Sequence, residues 1–198
     1  MYFDRINAII FLIKTKERIY MKLLIINGSP HKAGTTALLT DYFVKGAKEK
    51  GHEIQIFHAA QENVHPCLGC DHCRNTSDGC VYKDSMEQLN PMLFAADVVV
   101  LVTPLYYFGM SAQIKAVIDR FYANNTELRN QKKQIVLLSA CGDKDEWAML
   151  GLKAQYECIC KYMHWESIGT LYASGMYVRE DLKNSKYLDK AYQLGLKI

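Results

Sequence analysis

Short runs of almost unbroken apolar residues recur along this chain, and the stretches between them carry apolar residues at helical spacing. The first run is residues 22–27 (KLLIIN) and ends in Gly28-Ser29-Pro30. Runs of this kind read as parallel strands buried on both faces. Residues 35–50 then place Leu38, Leu39, Tyr42, Phe43 and Ala47 on one helical face, with Thr35 or Thr36 as the expected cap and Gly51 as the stop. Further strands are predicted over 53–57, 97–103, 134–140 and 168–172, and helices over 84–94, 111–122, 146–163 and 185–196. Pro91 is expected to distort or end the second of the five helices. The run DVVVLVT at 97–103 is the most β-branched and belongs at the sheet centre. Repeated β-α alternation implies an α/β three-layer sandwich. Its five-stranded parallel sheet has the order 2-1-3-4-5, with helices on both faces and right-handed crossovers.

In such a sheet, ligands sit at the carboxyl ends of the strands, where the strand order reverses. That crevice lies between the loops after strands 1 and 3, residues 28–34 and 104–110. The first loop leaves a strand and enters a helix. It offers glycines (Gly28, Gly34), hydroxyls (Ser29, Thr35, Thr36), and the side chains of His31 and Lys32. Free amides and the helix dipole favour a phosphate there, although the same composition also serves an ordinary capped turn. It is neither a Walker loop nor a dinucleotide fingerprint, which points to a mononucleotide phosphate. The second loop runs Pro104, Leu105, Tyr106, Tyr107, Phe108, Gly109. Three consecutive aromatics cannot all face one core, so at least one faces the crevice, a surface suited to a flat heteroaromatic ring. A subunit interface is the compatible second use of these aromatics.

Composition narrows the class. Of 198 residues, 49% are apolar and 23% charged, an ordinary globular balance, and a net charge of +3 gives no reason to expect nucleic acid. The apolar stretch Ile9 to Ile13 is too short to span a bilayer and lacks a cleavage site, so residues 1–20 are read as an N-terminal appendage before the domain at 21–198. Seven cysteines, four of them within 67–80, do not resemble a secreted disulfide framework. A cytoplasmic location is expected, where a tight cysteine group is a metal or redox site. Cys141, Cys158 and Cys160 read as buried packing residues. A signalling receiver on the same fold would need acidic residues where Asn27-Gly28 and Thr103-Pro104 stand.

Several stretches together resemble the NADPH-dependent FMN reductase branch of the flavodoxin-like superfamily, and within it the iron–sulfur flavoproteins. They are Asn27-Gly28-Ser29-Pro30 with Gly34 and Thr36, Pro104 with Tyr106 and Gly109, Ser111-Ala112-Gln113 with Lys115, and Ile118-Asp119-Arg120. The resemblance implies that Ser29, His31, Gly34, Thr35 and Thr36 surround an FMN phosphate. It implies that the loop 104–109 lies along the flavin ring, with Cys141 and Gly142 at the ring's other edge. Two departures stand out: His31 occupies a place where relatives often carry arginine, and Thr35 one where they often carry asparagine. This moves the phosphate role toward backbone amides. The resemblance also implies a homodimer or homotetramer with the flavin near the subunit contact.

The second chemical feature is Cys67-x2-Cys70-x2-Cys73-x6-Cys80, in a cysteine-rich insertion at 65–83. Four thiolates at this spacing can converge on an iron–sulfur cluster, and the resemblance implies a 4Fe–4S site. Zinc, with His72 as a fifth candidate ligand, and a metal-free state are the alternatives. The expected function is an NAD(P)H-dependent oxidoreductase that passes electrons through FMN to a small acceptor or an iron–sulfur centre. The alternative is an electron carrier working with ferredoxin-like partners. No catalytic side chain is assigned, since the cofactor carries the chemistry.

Overall fold

A computed structural model describes residues 20–198. The expected appendage at 1–20 therefore lies, all but Tyr20, outside the described residues. Strands β1 (Lys22–Asn27), β2 (Glu53–His58), β3 (Val98–Tyr106), β5 (Gln134–Ala140) and β6 (Glu166–Ala173) form a parallel sheet in the order β2-β1-β3-β5-β6. In chain order of these five long strands this is the predicted 2-1-3-4-5 arrangement. The two-residue β4 (Gly109–Met110) is additional and pairs antiparallel with the end of β3.

Alternate residues of each strand feed two separate cores. Leu24, Ile26, Val99, Leu101, Ile135 and Leu137 face helices α3 (Met86–Ala95), α4 (Ala112–Arg120) and α6 (Leu150–Met163), meeting Leu89, Leu93, Ile114, Val117, Leu152 and Tyr156. Leu23, Ile25, Val98, Val100, Val136 and Leu138 face α1 (Thr35–Glu49) and α8 (Tyr187–Leu196), meeting Leu39, Phe43, Leu188 and Ala191. A central strand buried on both faces has no polar side, which explains why 98–102 shows no alternation.

Several boundaries differ from the sequence pattern for identifiable reasons. Helix α3 runs through Pro91 to Ala95. Pro91 and Glu87, the residue whose carbonyl Pro91 cannot serve, are both exposed, so the lost bond falls on the solvent side of the helix. Helix α1 is capped by neither threonine: Gly34 stands at the cap position. Short helices α2 (His72–Asn75), α5 (Asn125–Asn130) and α7 (Arg179–Lys183) lie in segments without periodicity. Cys160 is buried as expected and Cys158 is exposed, because consecutive even positions on α6 point 200° apart.

Two glycine pairings set close approaches. Gly46 and Gly195 let α1 and α8 touch backbone to backbone; a Cβ on Gly195 would press into the Phe43 carbonyl. At Gly28 a Cβ would lie 2.6 Å from both the Ser111 hydroxyl and the Ile114 Cβ. That position keeps α4 tight against the start of the first loop.

Candidate functional site

The loops at the carboxyl ends of β1, β3, β5 and β6 enclose a cleft of about 730 Å³. Its walls are residues 29 and 31–36 on one side, 104–106 along the floor strand, and 140–142 with 176–179 opposite. Backbone and hydroxyl contacts tie these loops together. Ser111 donates its hydroxyl to the Gly28 carbonyl at 2.7 Å and its amide to Thr103 Oγ1 at 2.9 Å, both buried. One serine thus joins the loops after β1 and β3. Met176 N–H donates to the Cys141 carbonyl and Gly175 N–H to the Asp143 carbonyl, each at 2.7 Å, joining the loops after β5 and β6.

The first loop is stiff at its start. Ser29 N–H donates to Asn27 Oδ1 at 2.9 Å, and His31 N–H donates to Ser29 Oγ at 3.2 Å. At its end no side chain caps α1, and the first intrahelical bond runs from Leu38 N–H to the Gly34 carbonyl. Among the described residues the amides of Thr35 and Thr36 therefore have no protein acceptor, and they stand at the positive end of a four-turn helix. Such a helix start favours an anion. The opposite wall and floor supply the apolar and aromatic Pro104, Leu105, Tyr106, Met176, Tyr177 and Val178, with Arg179 at the end of that wall. Tyr177 packs over Gly142, where a Cβ would come within 2.6 Å of its ring. The arrangement fits a phosphate at one end and a flat ring system at the other.

The aromatic stretch divides. Tyr106 lines the cleft. Tyr107 and Phe108 form the two-residue turn of the β3–β4 hairpin, with φ of 44° and 64°. Hairpin twist demands that left-handed geometry, and it is one that aromatic residues rarely adopt. Tyr107 is wholly exposed at the tip, and Phe108 packs against Trp147 with ring centroids 5.0 Å apart. Tyr107, Phe108 and Gly109 are not among the cleft walls. Of the other predicted positions, Ser29, His31, Gly34, Thr35, Thr36, Pro104, Leu105, Tyr106, Cys141 and Gly142 come together in it. Cys141 directs its thiol to the Asp143 carbonyl at 3.3 Å.

The cysteine loop lies in residues 59–85, none of which lines the cleft. Gly69, Asp71 and Gly79 take left-handed conformations that turn it. Its base is fixed by Arg120, whose Nη1 and Nη2 donate to the Asp84 carboxylate at 2.6 and 3.2 Å while Nη1 also donates to the His65 carbonyl at 2.9 Å. Tyr122 donates its hydroxyl to Asp71 at 2.7 Å and accepts from Arg74 at 3.0 Å. Cys67 and Cys70 are exposed, and Cys73 and Cys80 half-buried. Burial pushes the Cys73 thiol above its ordinary range, and the nearby thiols of Cys80, Cys67 and Cys70 add to the rise. The Arg120 guanidinium stands beside Cys80. Among the described residues no three metal-ligating side chains are gathered closely enough to hold an ion.

The family model of NADPH-dependent FMN reductases matches residues 21–169. An iron–sulfur flavoprotein of Archaeoglobus fulgidus is 30% identical over 186 residues, covering 90% of this chain and 79% of that protein. An iron–sulfur flavoprotein of Methanocaldococcus jannaschii is 37% identical over 100 residues, half of each chain. The alignments with several further iron–sulfur flavoproteins likewise span about half the length of those proteins. Among solved structures, the NAD(P)H:quinone oxidoreductase of Methanothermobacter marburgensis superposes with a TM-score of 0.71 at 17% identity, over 90% of this chain and 96% of that one, and so shares the flavodoxin-like fold.

This chain belongs to the NADPH-dependent FMN reductase family. It is a flavin-dependent oxidoreductase with FMN as cofactor and NAD(P)H as co-substrate. Among the described residues no helix is long and apolar enough to cross a membrane. Sequence reasoning missed one wall of the cleft, residues 176–179. The signal was available in principle: Ser174-Gly175 follows the last strand, at the carboxyl end where ligand loops collect.

Proposed function

We propose that the cleft holds FMN with its phosphate on the amides of Thr35 and Thr36 and its ring between Tyr106 and the 141–142 and 176–178 loops. The observation that carries this reading is the uncapped N-terminus of α1 lining a cleft whose floor strand and far loops supply Pro104, Leu105, Tyr106, Met176 and Tyr177. A phosphate there satisfies helix amides that no side chain satisfies. Bound FMN supplies two-electron chemistry toward NAD(P)H and one-electron chemistry toward an acceptor. The protein's part is to hold and enclose: Ser29 shapes the loop through the His31 amide, Gly28 and Ser111 lock the two loops together, and Tyr106 and Tyr177 provide ring surfaces. His31 and Lys32 are both exposed at the rim, where Lys32 contributes positive charge.

The acceptor is a small oxidant or an iron–sulfur centre. One observation favours the carrier variant, in which electrons move on to a ferredoxin-like partner. The four thiols of Cys67, Cys70, Cys73 and Cys80 lie on one loop whose base is anchored by the buried Arg120, a cation that suits the charge of a thiolate cluster once the thiols are drawn together. Those four residues would hold a 4Fe–4S cluster. Assembly as a homodimer or homotetramer belongs to the same proposal, with the exposed Tyr107, Phe108 and Trp147 beside the cleft as contact surface. Purification without oxygen, followed by flavin, iron and zinc assays, tests the reading. FMN with about four irons per chain supports both halves. FMN without iron removes the cluster, and protein that stays colourless with added FMN removes the cleft assignment.

A further inference from the structure

A phosphate monoester carries close to two negative charges at neutral pH, and the loop 28–36 meets them with amides, hydroxyls and two exposed side chains. Neither His31 nor Lys32 is held in place by any hydrogen bond from its side chain among the described residues. The structure supplies a further cation from far along the chain. Arg179, at the start of α7, is half-buried and lines the same cleft as Ser29 and residues 31–36. Its Nη1 donates to the Ala33 carbonyl at 3.1 Å, a contact between residues 146 positions apart.

The surroundings leave this guanidinium available. Its acidic neighbours are engaged elsewhere: Glu180 pairs with Lys183 at 2.7 Å, and Asp181 accepts the Val178 amide at 2.9 Å. Among the described residues Arg179 makes no ion pair. One of its five N–H donors meets Ala33, and the rest of the planar fork remains for an anion. Its position is also set rather than accidental. The bonds from Met176 to Cys141 and from Gly175 to Asp143 fix the loop that carries it, and the Asp181 cap fixes the turn on which it sits.

We propose that Arg179 is the principal cation for the FMN phosphate, closing over the loop 31–36 from the β6–α7 segment. This rests on the reading of the cleft as the FMN site and adds a residue, and a chain segment, to it. Arg179 then does two things at once. It straps the last loop of the sheet to the first, and it discriminates FMN from flavins without a phosphate.

The test compares FMN with riboflavin. Apo full-length chain is titrated with each flavin, following quenching of flavin fluorescence, for the unaltered protein, Arg179→Met and Arg179→Lys. Loss of one charge-assisted hydrogen bond predicts roughly ten-fold weaker FMN binding in Arg179→Met, with riboflavin binding unchanged. Arg179→Lys is expected in between. Riboflavin binding doubles as the check that the variants fold. Three results overturn the proposal: an unchanged FMN-to-riboflavin ratio in Arg179→Met, an equal loss of both flavins, or a lysine variant as weak as the methionine one. Failure of the unaltered chain to bind either flavin overturns the cleft reading itself, a result separate from the other three.

Discussion

Arg120 Nη1 lies 2.6 Å from Asp84 Oδ2, and both side chains are almost fully buried, at 2% and 1% exposure. The pair joins the end of α4 to the segment that closes the cysteine loop. The His65 carbonyl and the Tyr82 ring, 5.3 Å from the guanidinium carbon, complete its setting. A buried pair is weak support as a pair, but removing one partner strands the other charge. Asp84→Ala is therefore expected to lower unfolding stability by about 3–5 kcal/mol. Urea unfolding measures it, and Arg120→Met with Asp84→Leu together should recover much of the loss.

The same carboxylate gives the protein an acid limb. Burial pushes the Asp84 carboxyl up, but the hydrogen bonds from Arg120 and from the His65 and Met86 amides outweigh burial and hold it below its ordinary 3.8. A depressed folded-state value means the contribution is complete above the unfolded value and is lost as pH falls through the lower folded one. The stability of the unaltered protein should fall as pH drops below the ordinary carboxyl value of 3.8, and Asp84→Asn should show a shallower fall over that acid range. Urea midpoints collected across it decide the point.

Helices α1 and α8 meet at two glycines, and α1 carries the proposed phosphate site at its start. Gly195→Ala forces a methyl into the Phe43 carbonyl, where neither backbone can yield without separating the helices. A loss of about 1–3 kcal/mol is expected from this overpacking. The variant's FMN affinity, measured alongside, should weaken only if the separation reaches the α1 N-terminus.

The hairpin tip carries strain with no packing return at one residue. Tyr107 holds a φ of 44° while fully exposed. Asparagine tolerates that conformation better, so Tyr107→Asn should raise stability by about 1 kcal/mol. If the proposed subunit contact uses this aromatic, the same variant should shift the oligomer equilibrium in sedimentation toward smaller species.

The strands and long helices were legible because burial writes itself into local periodicity: 98–102 apolar throughout, Ile114, Val117 and Phe121 at helical spacing. The first loop was legible because a strand, a Gly-Ser-Pro turn and a helix start follow one another without interruption. What the sequence hid was set by contacts between distant residues. The short helix α2 depends on Tyr122 reaching Asp71, and the cysteine loop on Arg120 reaching Asp84. The hairpin at 105–110 was hidden because an aromatic run reads equally as strand or loop, and only pairing with β4 decides it. Arg179 was hidden because nothing near it in the chain announces the cleft it lines.

The central claim, that this cleft holds FMN reducible by NAD(P)H, is tested most directly by adding NADPH, and separately NADH, to the FMN-loaded full-length chain without oxygen. Flavin absorbance is followed by stopped flow. Rapid loss of the oxidised flavin band with at least one nucleotide is predicted. A band that survives excess of both and bleaches only with dithionite or reduced ferredoxin would contradict it.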